Sequence, residues 1–174
     1  EALIQHCKTI GEIIPLIGFY LQPTIGGRTY EYSFWRRFVE IPSVVAIKVA
    51  PFDRYATLEV IRALADSGRE DVYLYTGNDD NIILDLLTRF RFATDSGPIE
   101  LEIVGGLLGH WAVWTKAAVD QLKQCQAAKA SGEGIPPELL TLASKVTDSN
   151  AAFFDVANGF AGCIAGIHEV LRRQ

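Results

Sequence analysis

The sequence predicts an α/β fold built on parallel strands, and three observations predict it. Short β-rich runs at 16–23, 43–50 and 71–77 alternate with stretches of helical periodicity, the pattern of repeated βα units. The runs are apolar almost throughout, as strands covered on both faces are. Hydrophobic residues make up 49% and charged residues 21% of 174 positions, which suits one sizeable globular core.

The elements follow in order. Residues 1–13 read as a helix and LIGFYLQP (16–23) as a strand. Thr24 to Arg28 is a glycine-containing loop, and 29–40 is a helix rich in aromatics. SVVAIKVA (43–50) is a strand that Pro51 stops. Over 53–67, Leu58, Ile61, Leu64 and Ala65 keep the i, i+3, i+4 spacing of an amphipathic helix, which Ser67-Gly68 ends. DVYLYTG (71–77) is a third strand, followed by a short helix at 81–89. The stretch 90–105 departs from this rhythm. Ile99, Leu101 and Ile103 alternate with Glu100 and Glu102 behind the turn signal DSGP, which predicts an inserted β-hairpin. GHWAVW (109–114) reads as the last strand, 115–130 as its helix, and about 137–146 and 149–173 as closing helices. Residues 1–130 thus form the βα body, and 131–174 a helical extension of the same domain. Four βα units are half of what a (β/α)₈ barrel of about 250 residues needs, so half a barrel is the expected architecture.

Charge and cysteine content exclude several classes. A net charge of -5 and an isoelectric point near 5.2 leave no basic face for nucleic acid. No run approaches the roughly 18 uninterrupted apolar residues of a membrane span, and no basic, cleavable leader opens the chain. Three scattered cysteines, Cys7, Cys125 and Cys163, predict no disulfide framework and a reducing, cytoplasmic setting. His6, His110 and His168 make no metal-binding pair.

Lys48 is the sharpest chemical signal. It is the only charge in SVVAIKVAP. Burying an ammonium there is costly, so its pKa is expected to fall, and a neutral amine on a rigid strand attacks carbonyls. Alternation puts Lys48 on one face with Val44 and the small Ala46, near the C-terminal end of its strand, where barrel active sites assemble. A lysine snorkelling to solvent fits the same pattern. Tyr20 ends the preceding strand and shares its face with Leu16, Gly18 and Gln22. Two adjacent parallel strands would thus project a phenol and an amine into one cavity, and the phenol can shuttle protons. A core tyrosine with a hydrogen-bonded hydroxyl is the alternative. Gly26, Gly27 and Arg28 could cradle an anion or simply turn the chain. Trp111 and Trp114 could line a substrate mouth or pack.

The motifs Tyr20-Leu-Gln-Pro23, Val44-Val-Ala-Ile-Lys48, Gly77-Asn78-Asp79-Asp80 and Gly106-Leu-Leu-Gly109, with 28 positions from Tyr20 to Lys48, occur in that order. In these the chain resembles the second half of the dihydrodipicolinate synthase and N-acetylneuraminate lyase family. The resemblance implies the C-terminal half of a (β/α)₈ barrel with a C-terminal helical segment. It implies a class I lyase or aldolase, or a dehydratase, acting on pyruvate or a related 2-oxo acid as a dimer or tetramer. Lys48 would form the Schiff base and Tyr20 relay protons. Gly77 and Asn78 would shape the far wall, Gln22 or Arg28 would meet the substrate's polar end, and Trp111 would lie at the mouth. The imine needs no metal or organic cofactor. The synthases carry an arginine five positions after the tyrosine, where Ile25 stands here, so dihydrodipicolinate synthesis is not the expected reaction. A non-catalytic homologue that binds a metabolite or plays a structural part, or a barrel fragment with an incomplete cavity, is the competing expectation.

Overall fold

The computed structural model describes residues 1–174 and has an α/β fold. Five strands form one mostly parallel mixed sheet in the order β1-β2-β3-β5-β4. They are β1 (Leu16–Leu21), β2 (Val44–Ala50), β3 (Tyr73–Thr76), β4 (Arg89–Thr94) and β5 (Gly97–Gly106). Seven α-helices accompany them: α1 (Ala2–Gly11), α2 (Tyr32–Phe38), α3 (Arg54–Ser67), α4 (Ile82–Leu87), α5 (Thr115–Ser131), α6 (Pro137–Phe153) and α7 (Cys163–Arg173). The chain divides into two compact units. Glu1–Tyr75 with Arg89–Val104 form the first, and Thr76–Thr88 with Gly105–Gln174 the second.

In the first unit, β1 and β2 pair in parallel. An aromatic cluster packs on one side of them. Trp35 of α2 lies 5.0 Å from the Tyr20 ring and meets Phe34 and Phe38 edge-on. Gly18 is needed there, because a Cβ would come within 2.7 Å of Phe38 Cε1. Helix α3 starts where the Asp53 carboxylate accepts from the Ala56 amide at 3.0 Å, and it ends at Gly68 in the left-handed region (φ 68°). Its core stripe is Val60, Ile61, Leu64 and Ala65, while Leu58 is exposed. Arg69 braces the entry to β2. Its guanidinium donates to the carbonyls of Val39, Ile41 and Val44 at 3.0 Å each and pairs with Asp71.

The predicted hairpin is present as β4 and β5, antiparallel, with Arg89 paired to Glu102 and Arg91 to Glu100 across the ladder. Its place differs from expectation. β5 lies between β3 and β4, so the hairpin supplies the sheet's fourth and fifth positions rather than preceding another strand.

In the second unit, Ile82, Ile83, Leu86 and Leu87 of α4 are buried against α5 and α6. Residues 109–114 were expected as a strand. They form instead a 3₁₀ turn at Gly109–Ala112, closed by bonds from the Val113 and Trp114 amides to the His110 carbonyl. Over so short an apolar run, composition does not separate a strand from a buried turn. The expected break between 146 and 149 is also absent. The polar side chains of that stretch bond to backbone without ending the helix: Ser149 Oγ donates to the Lys145 carbonyl, and Asn150 Nδ2 to the Asp79 carbonyl at 2.6 Å. The break comes later, where Asp155 and Phe160 take positive φ (53° and 68°) ahead of α7. No helix is long and apolar enough to cross a membrane.

Candidate functional site

Lys48 occupies the fifth position of β2, two residues before the strand ends. Its backbone is in register with Phe19 on β1, and laterally paired residues of parallel strands share a face. The side chain is partly exposed, and Nζ lies 4.2 Å from the centroid of the Phe19 ring. Ala46, on the same face, pairs with Ile17. Ile17 and Phe19 are 61% and 48% exposed, so this face is open along β1.

Tyr20 does not share that face. It is in register with Val49, and its ring lies in the Trp35–Tyr30 cluster, 1% exposed. Its hydroxyl donates to the Tyr30 carbonyl and accepts from the Tyr30 amide, both at 3.3 Å. Burial, reinforced by the charges of Glu59 and Asp53, raises its pKa above the ordinary phenol value against the Tyr30 hydrogen bond. The expectation that phenol and amine enter one cavity is therefore corrected.

The cause is a β-bulge. Leu16 pairs with Val44, but Ile17 pairs with Ala46, so Val45 is an extra residue on β2. An unbroken register from Leu16 and Val44 would set Tyr20 opposite Lys48. The one-residue shift sets Phe19 there instead and turns Tyr20 to the other face.

Gln22 is buried just past β1, and its carbonyl accepts from the Gly27 amide at 3.0 Å. Gly27 cannot carry a side chain, since a Cβ would overlap the Leu21 carbonyl oxygen. Gly26 takes φ 96° as the cap of a 3₁₀ turn. These features are a tight chain reversal, with Arg28 exposed beyond it.

Gly77, Asn78 and Trp111 belong to the second unit. Gly77 and Asn78 are buried. The Asn78 amide side chain donates to Asp85 at 3.2 Å, and its backbone N–H donates to Thr76 Oγ1 at 3.1 Å. Asp85 also accepts from Thr76 Oγ1 at 2.6 Å and from Asn81 Nδ2 at 3.0 Å. Asn78 is thus tied into a buried polar network. Trp111 lines an apolar recess of about 360 Å³ with Leu107, Leu108, Ala112 and Thr115.

Three residues of interest escaped the sequence. Phe19 gave no signal beyond strand hydrophobicity. Asp85 had one: it is the only charge in IILDLL, as Lys48 is in VVAIKVA. His110 is 4% exposed, its Nδ1 has no hydrogen-bond partner, and burial pushes its pKa down to about 4. That favours the neutral imidazole across the physiological range.

No family model and no curated protein matches this chain.

Proposed function

We propose that the chain carries a lysine Schiff-base lyase, an aldolase or a dehydratase acting on pyruvate or a related 2-oxo acid, with Lys48 as the nucleophile. One observation carries the reading. Lys48 is the only charged residue of two paired parallel strands, it lies near the C-terminal end of β2, and it is partly exposed on the face it shares with Ile17 and Phe19. The motif resemblance supports it, and under that resemblance the sheet is half of a (β/α)₈ barrel, the open face its interior, and the working form a homo-oligomer.

The chemistry follows from the amine. Neutral Nζ adds to the ketone carbon to give a carbinolamine. Loss of water leaves a protonated imine, which accepts the electron pair released when a bond to the neighbouring carbon breaks. Cleavage, condensation and dehydration share this intermediate. Tyr20 is assigned no proton relay, because its hydroxyl is bonded to Tyr30 on the opposite face. The same observation favours a second reading, a metabolite-binding homologue without turnover, since a lysine whose expected tyrosine lies on the opposite face can bind a 2-oxo acid and stop at the imine.

Incubation with pyruvate, reduction with borohydride and peptide mapping test the proposal. The expected result is an adduct on Lys48 that is lost in Lys48→Ala. No adduct, or an adduct on Lys116 instead, overturns it. Steady-state release of a cleaved or dehydrated product separates the enzyme from the binding reading.

A further inference from the structure

We infer that Phe19 is a positioning residue for Lys48: its ring face holds the ammonium at rest and the iminium once the imine has formed. This inference rests on the Schiff-base reading for its second half and on geometry alone for its first.

The geometry is direct. Phe19 and Lys48 are lateral partners in β1 and β2, and the cation lies 4.2 Å from the ring centroid, well inside cation–π range. The contact exists because of the bulge at Val45, without which Tyr20 would stand opposite Lys48. Phe19 is half-exposed, whereas Trp35 and Phe38 of the aromatic cluster are buried.

The ring's negative quadrupole favours positive charge on the nitrogen, whichever group bears it. At rest that charge is the ammonium. After addition to the ketone and loss of water it is the C=N⁺ iminium, the electron sink of the proposed reaction. A ring that stays in place through both states fixes the nitrogen while it changes hybridisation.

Two readouts on the same variants test this. The first uses no pyruvate: the rate of Lys48 acylation by acetic anhydride at fixed pH, read by peptide mass spectrometry. Phe19→Leu removes the ring face, and acylation is expected to rise by about twofold to fivefold, because the neutral amine becomes more available. Phe19→Trp keeps a ring face and is expected to stay at or below the wild-type rate. The second is the yield of borohydride-trapped adduct at subsaturating pyruvate, expected to fall by a similar factor in Phe19→Leu and to recover in Phe19→Trp. Circular dichroism confirms that each variant folds.

Equal acylation in wild type and Phe19→Leu overturns the inference. So does an equal rise in Phe19→Leu and Phe19→Trp, which would mark loss of simple shielding. The two claims fail separately. Absence of any adduct on wild-type Lys48 sinks the Schiff-base reading and the iminium role with it, while the acylation arm still decides the ring's hold on the ammonium.

Discussion

Side chains one position apart on β1 and β2 live in opposite surroundings. Gly18, Tyr20, Ile47 and Val49 are buried, and the aromatic cluster of α2 closes over Gly18 and Tyr20. Ile17, Phe19 and Lys48 keep access to water. On the covered side, polar groups are consumed: the Tyr20 hydroxyl is bonded at both donor and acceptor positions to one backbone residue. On the other side, the Lys48 amine stands 4.2 Å over the Phe19 ring, and the residue is partly exposed. Burial makes the tyrosine a packing residue. A single extra residue, Val45, decides which side chain goes where.

The comparison breaks most readily at Trp35. Trp35→Ala opens the centre of the covered side and is expected to cost about 3–5 kcal/mol of unfolding free energy, whereas Ile17→Ala on the open side costs less than about 1 kcal/mol. Urea denaturation of both variants reads the difference. Equal losses would mean that the two faces are packed alike.

Burial also sets ionisation, and His110 of the second unit shows it. Its folded pKa of about 4 lies below the ordinary 6.5, so the unfolded chain binds the extra proton first. The stability it contributes is present above pH 6.5 and lost as pH falls through 4, by up to about 3 kcal/mol. His110→Asn should flatten the pH dependence of the denaturation midpoint in that window.

The smallest effect separates structure from chemistry at Tyr20. Tyr20→Phe removes two weak hydrogen bonds to Tyr30 and is expected to cost about 1 kcal/mol of stability. It should leave pyruvate trapping on Lys48 unchanged. A general acid–base in that position would instead cost about a hundredfold or more in rate.

Much of the fold was legible. The alternation of apolar runs and helical spacing located β1, β2, β3 and helices α1 to α5, and DSGP marked the hairpin turn that Gly97 makes at φ 117°. Alternation within each strand was legible too: Tyr20 does share a buried face with Gly18. The register between strands was not. A bulge leaves no mark in an apolar run such as SVVAIKVA, because Val45 and Ala46 both suit a strand. One slipped residue was enough to reverse the expected partner of Lys48. The 3₁₀ turn at Gly109–Ala112 escaped for a related reason: His110 and Val113 are buried as strand residues would be, although the backbone bonds locally.

The central claim is that the amine of Lys48 forms an imine with a 2-oxo acid. Borohydride reduction in the presence of pyruvate, followed by peptide mapping, tests it most directly. The account predicts one reduced pyruvyl adduct, on Lys48, retained in Tyr20→Phe and absent in Lys48→Ala. An unmodified Lys48, or an adduct that survives Lys48→Ala, would contradict it.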